Sequence, residues 1–132
     1  MSFLLDTDVC SAYLKGHPAI FNRFLQHTGG LALSVISLGE LCTWAARGGP
    51  HTARMRGIED MLAVVRVLDV TPDVARTFGI VRGGLLDQGK SIASADAFIA
   101  STAIVYNLTL VTHNQKHFAP LGGLRLQDWL AP

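Results

Sequence analysis

Residues 2–11, "SFLLDTDVCS", decide the fold. Phe3, Leu4 and Leu5 form a short, uninterrupted apolar run, which reads as a strand buried on both faces, the pattern of a parallel sheet. The run ends on two carboxylates, Asp6 and Asp8, and "VCSAYLKGHP" follows as a short helix closed by Gly16 and Pro18. In an open parallel sheet the carboxyl ends of the strands gather the ligand-binding loops. Acids placed there are therefore candidates for chemistry.

The same alternation continues outward from this stretch. "LALSVIS" reads as a second buried strand, and "SLGELCTWAARGG" as a helix beginning near Ser37 and broken by Gly48-Gly49-Pro50. "AIFNRFLQH" has helical apolar spacing, and a helix through Ala63 follows His51–Arg56. "VVRVLDV" reads as a third strand. Thr71 and Pro72 supply an N-cap and first helical position for the next helix. "SIASADAFIASTAIVYN" is a helix apolar on most sides, "LTLVT" a fourth strand and "LRLQDW" a possible fifth. Strands alternating with helices predict one α/β domain over residues 1–132, its mostly parallel sheet of four to five strands covered on both faces.

Composition narrows the function. The 132 residues are 49% hydrophobic, enough for a sizeable core, and carry a net charge of +1, so any polyanion site is a local patch rather than a property of the whole surface. Cys10 and Cys42, without paired spacing, read as buried, reduced thiols. No apolar run approaches the roughly 18 residues of a membrane span, and no basic region precedes a long apolar stretch. The expectation is a cytoplasmic protein.

Four separated segments converge at the carboxyl edge. Asp6 and Asp8 follow strand one, Ser37 and Glu40 follow strand two, and Thr112 and Asn114 follow strand four. Asp96 opens the helix that precedes strand four and so faces the same edge. Glu40, one of only two glutamates, lies in "VISLGELCTW", and Asp96 in "IASADAFIASTA" has no charge within five residues. A buried lone carboxylate costs several kcal/mol unless positive charge meets it. Each acid also has a plainer reading. Asp6 serves as a turn residue or N-cap, Asp8 as the cap of the helix after it, and Glu40 and Asp96 as favourable charges at helix N-termini, worth about 0.3–1 kcal/mol each. Together, oxygen ligands without metal-spaced histidine or cysteine suggest Mg2+ or Mn2+ working on phosphodiesters.

The order of these blocks resembles the PIN-domain family, in particular the VapC-type ribonuclease toxins of toxin–antitoxin modules. "FLLDTDVCSAYL" is similar to the family's opening strand and first acid. "LSVISLGELCTWA" is similar to its second block, and "IASADAFIASTAIVYNLTLVTHNQKHF" to its third and most specific. The resemblance implies a three-layer α/β/α sandwich, commonly a homodimer, that cuts RNA with Mg2+ or Mn2+ and is inhibited by a cognate antitoxin. It assigns Asp6, Glu40 and Asp96 as the acidic, metal-holding triad. Asn114 stands where many members have a fourth acid, and Asp8, Ser37 and Thr112 would support the ligands.

On this reading Asp6 and Asp96 hold the metal, and Glu40 orients or deprotonates the attacking water. Arg82, Lys90, His113, Lys116 and His117 are candidate RNA contacts. The spacing of His113 and His117 lacks the glutamate of a zinc-protease motif. Trp44, Phe21 and Phe24 are expected in the core. Two rivals remain open: a haloacid-dehalogenase-type phosphatase using Asp6 and Asp8, and a catalytically degenerate module that only binds RNA or an antitoxin.

Overall fold

The computed structural model describes residues 2–132. Its elements in chain order are β1 (Phe3–Leu5), α1 (Thr7–Leu14), α2 (Pro18–Gln26), β2 (Leu31–Ser34), α3 (Val35–Ala46) and α4 (His51–Met61). They continue with β3 (Arg66–Leu68), α5 (Pro72–Asp87), α6 (Ser94–Val105), β4 (Thr109–Val111), α7 (Gln115–Phe118) and β5 (Leu126–Gln127). The five strands form one all-parallel sheet in the order β3-β2-β1-β4-β5. Leu4 of β1 pairs in register with Ala32 of β2 and Leu110 of β4, which places the first strand at the centre.

Side chains alternate faces along a strand, so the apolar run of β1 feeds two cores. Leu5, Leu31, Leu33 and Val111 point into one, with Val9 and Cys10 of α1, Ile20 and Phe24 of α2, Leu41 of α3, and Ile58 and Met61 of α4. Leu4, Ala32 and Leu110 point into the other, with Ile99, Ala100 and Ala103 of α6 and Phe118 of α7. A continuous apolar run, rather than an alternating one, is what a strand needs when helices cover both faces. Each fully buried leucine here contributes about 1.5–3 kcal/mol. The result is the expected α/β/α sandwich.

Several local expectations are corrected. The second strand stops at Ser34, and the helix begins at Val35 rather than near Ser37. Ser34 is the reason: its Oγ accepts from the Ile36 N–H at 3.1 Å, so the cap outweighs the β preference of Val35 and Ile36. The third strand shortens to Arg66–Leu68, and α4 ends at Met61. Asp6, not Asp8, is the N-cap of α1. Thr71 does cap α5, accepting from Val74 N–H at 3.2 Å, with Pro72 at the first position.

The aromatic and thiol expectations divide. Phe24 is buried and stacks on Tyr13, but Phe21 is 49% exposed, on the outer face of α2. Trp44 is half-buried, packed in part against the core and faced by Arg54 of α4. Cys10 is buried, whereas Cys42 is half-buried on α3. Among the described residues no helix is long and apolar enough to cross a membrane.

Candidate active site

The carboxyl edge of the sheet holds the acids where the strand order places them. Asp6 follows β1 directly, in extended conformation, and its Oδ1 accepts from Thr7 N–H at 2.8 Å. Its Oδ2 accepts from Thr112 Oγ1, beyond β4, at 2.8 Å. Its backbone N–H is in turn held by Val111 O at 2.9 Å. Asp6 is 5% exposed and Thr112 is fully buried. Burial, with Asp8 beside it and Asp96 farther away, pushes the Asp6 carboxyl up to about 6, against the lowering effect of its two hydrogen bonds.

Asp8 occupies the first turn of α1. Its Oδ1 accepts from Val9 N–H at 2.8 Å and its Oδ2 from the His113 backbone N–H at 3.0 Å. Burial raises its carboxyl as well, opposed by those amides. Thr112 acts twice, since its Oγ1 also accepts from Asn114 N–H at 3.1 Å. The loop after β4 is therefore tied to both acids that follow β1. His113 is anchored further by Asp128, just past β5, whose Oδ2 lies 3.0 Å from His113 Nδ1.

Glu40 and Asp96 are held more loosely. Glu40, on α3, is exposed, contrary to the burial its apolar neighbours suggested, because residues 35–46 turn only Ser37, Leu41 and Ala45 fully inward. Glu40 Oε1 accepts from Thr7 Oγ1 at 2.6 Å, a tie from the residue after Asp6 that the sequence reading did not anticipate. Asp96 lies in the first turn of α6 and is half-buried. Its Oδ2 is 3.4 Å from His117 Nδ1. Burial raises the Asp96 carboxyl, His117 lowers it, and Glu40 and Asp8 raise it again. Those couplings bring Asp6, Asp8, Glu40 and Asp96 into one electrostatic neighbourhood.

Among the described residues no lysine or arginine pairs with any of these four acids. Ser37, one turn before Glu40, has a fully buried hydroxyl without a hydrogen-bond partner. Asn114 opens α7 without a side-chain cap. Lys116 is exposed, His113 and His117 each face a carboxylate, and Arg82 and Lys90 are exposed and paired with none of the site acids. His113 and His117 are directed at different acids, Asp128 and Asp96, and so do not form a zinc pair.

An all-oxygen donor set in which burial raises the Asp6, Asp8 and Asp96 carboxyls fits a hard divalent cation, whose charge would favour their ionised forms. Among the described residues, however, no three acids, imidazoles or thiolates are arranged closely enough to hold an ion. Glu40 is turned to Thr7, and Asp96 faces His117. The donor chemistry fits, and the arrangement is open.

A parallel sheet with carboxylates from the end of β1 and the helix after it, from the helix after β2 and from the start of α6 defines a class of acid-centred α/β proteins. A family model for the PIN domain matches residues 3–123, and the chain belongs to the PIN-domain family. It is 32% identical, over 98% of both chains, to the tRNA(fMet)-specific endonuclease VapC of Shigella flexneri. It is also 32% identical to the ribonuclease VapC2 of Haemophilus influenzae, over 98% of this chain and 99% of that one. Among solved structures it superposes on DNA-bound VapBC from Salmonella typhimurium with a TM-score of 0.93, at 30% identity and 98% coverage of both chains. It matches VapBC2 from Rickettsia felis, bound to a promoter DNA fragment, with a TM-score of 0.90 at 28% identity, over 98% and 99% of the two chains.

Proposed function

We propose that this protein is a metal-dependent endoribonuclease of the VapC kind, which cleaves RNA by attack of water on a phosphodiester and is held inactive by a cognate antitoxin protein. One observation carries the reading. Four carboxylates share the carboxyl edge, and one of them, Asp6, is buried and raised to about 6 without a cationic side chain beside it. Such an arrangement costs stability as it stands, so it points to a charge supplied from outside. The relatives named for ribonuclease activity and the VapBC complexes support RNA as substrate and an antitoxin as partner.

Asp6 and Asp96, with Glu40, would hold Mg2+ or Mn2+. When bound, the cation supplies positive charge against the scissile phosphate and a more acidic water. The chain's own residues do the positioning. Thr7 N–H and Thr112 Oγ1 fix the plane of the Asp6 carboxylate. Thr7 Oγ1 holds Glu40 on the solvent side, where it can orient or deprotonate the attacking water. His113 N–H steadies Asp8, and Thr112 links Asn114 to the same network. In-line displacement would leave a 5′-phosphate and a 3′-hydroxyl. Arg82, Lys90, His113, Lys116 and His117 are proposed RNA contacts at the rim, and the working form is proposed to be a cytoplasmic homodimer of one PIN domain.

The phosphatase alternative is not favoured, because both oxygens of Asp8 already accept backbone amides and the family is PIN. The degenerate binder is separated by experiment. Wild type is incubated with total bacterial RNA in Mg2+ or Mn2+, alongside EDTA-treated protein and Asp96→Asn. Discrete cuts that vanish with both treatments are expected. RNA that is bound but uncut in either metal would establish the binder instead.

A further inference from the structure

Glu40 and Trp44 lie at i and i+4 on α3 and so share one stripe of the helix, and Arg47 follows as the residue that caps it, in extended conformation. Measured along the axis, Trp44 is about 6 Å from the level of Glu40. Between this stripe and the start of α4 lies a pocket of about 520 Å³, lined by Glu40, Thr43, Trp44, Arg47, Gly48 and Arg54. It opens directly beside the acid proposed to handle the attacking water.

The cationic side of this pocket is built. Arg54, from α4, donates through Nη1 to Arg47 O at 2.6 Å and to Trp44 O at 3.0 Å, satisfying carbonyls at the end of α3. That bonding holds its guanidinium carbon 5.0 Å from the centroid of the Trp44 ring. The guanidinium thus lies as a fixed cationic platform over the indole, which packs in part against the core and with its remaining edge lines the pocket. Arg47 is exposed and, among the described residues, pairs with no carboxylate. Flat aromatic and guanidinium surfaces beside a free guanidinium are the means by which proteins take unpaired bases and the phosphates between them. An anionic chain approaching four carboxylates also needs positive charge at the flank, which the net charge of +1 does not supply globally.

We infer that the Trp44–Arg47–Arg54 pocket is the subsite for an unpaired nucleotide flanking the scissile phosphate, its base against the Trp44–Arg54 platform and its phosphate at Arg47. The inference rests on the nuclease reading and adds to it a place that selects single-stranded over paired RNA.

The test uses fluorescent single-stranded and duplex oligoribonucleotides, with Asp96→Asn as a non-cleaving parent for binding and wild type for kinetics. Arg47→Ala, Trp44→Ala and Trp44→Phe are introduced into each. Arg66→Ala, at the opposite edge of the sheet, controls for loss of charge alone. Trp44→Ala should weaken single-strand binding about tenfold, and Trp44→Phe should restore most of it. Arg47→Ala should weaken binding about fivefold and reduce the salt slope by about one. KM should rise in both with little change in kcat, and Arg66→Ala should match the parent. Duplex affinity should change little. Because Arg47 is exposed and unpaired, its replacement tests the subsite even where Trp44→Ala lowers the melting temperature. Parental affinity and KM in both Arg47→Ala and Trp44→Ala would overturn the subsite and free the pocket for a polypeptide. A wild type that neither binds nor cuts RNA would overturn the nuclease reading along with it.

Discussion

The two halves of the acidic edge are built differently. Around β1 and β4, Asp6 and Asp8 have all four carboxylate oxygens accepting hydrogen bonds, three from backbone amides and one from a buried threonine. Glu40 and Asp96, by contrast, each have one side-chain partner, and Glu40 is exposed. One half is held through every oxygen, while the other keeps one carboxylate oxygen of each acid uncommitted. A site proposed to receive a cation and a polyanion benefits from this division, since fixed carboxylates reduce reorganisation and uncommitted oxygens stay available to bind.

The largest effect should come from the fixed half. Asp6→Asn is expected to lower cleavage by about a thousandfold or more while leaving the fold intact, measured as kcat/KM alongside thermal unfolding. Stability should not fall in parallel, because the substitution removes a buried charge that repels its neighbours. A large loss of melting temperature in Asp6→Asn would break the contrast.

The same residue sets a pH dependence. Asp6 is raised in the fold from about 3.8 to about 6, so the folded state binds its proton more tightly than the unfolded chain does. Its contribution is most favourable below the unfolded value, and is lost as pH rises through the folded one. The difference corresponds to about 3 kcal/mol. Urea midpoints of metal-free wild type, taken relative to Asp6→Asn, should therefore decline between about pH 4 and pH 6. Mg2+ or Mn2+ should reduce that decline, and a flat difference would show that burial of this carboxyl carries no such penalty.

Thr112→Val removes the hydroxyl shared by Asp6 and Asn114 while preserving shape. Activity should fall about 10- to 100-fold with a stability loss near 1 kcal/mol, read from rates and denaturant midpoints on the same protein. Thr7→Val, which frees Glu40 in the adjustable half, should cost only a few-fold in rate. If Thr7→Val proves the more damaging of the two, Glu40 is as fixed as Asp6 and the two halves do not differ.

Much of this arrangement was legible in the chain. The apolar runs 3–5 and 109–111 read as buried strands, and the acids after β1 and β2 and at the start of α6 fell at one edge by topology alone. What escaped depended on side-chain direction or on distant partners. An apolar neighbourhood in sequence did not bury Glu40, because a helix turns successive residues outward by about 100°. The same geometry left Phe21 exposed while burying Phe24. Ser34 was hidden within an apparent strand until its cap bond was visible. The bonds Thr112–Asp6 and His113–Asp8 join residues more than a hundred positions apart, which no local pattern encodes. Trp44 does pack against the core, but only in part, and its partner Arg54 belongs to the next helix.

Those two long-range bonds bear on when the protein acquires its chemistry. Asp6 and Asp8 are synthesised almost first, yet half of the groups that hold them arrive with residues 112 and 113. Until β4 docks beside β1, each early acid is held through one oxygen only, by the adjacent amide of α1, and its second oxygen is free. An enzyme whose proposed target is RNA would thus be translated as an inert chain, and become competent only when its late strand closes the sheet.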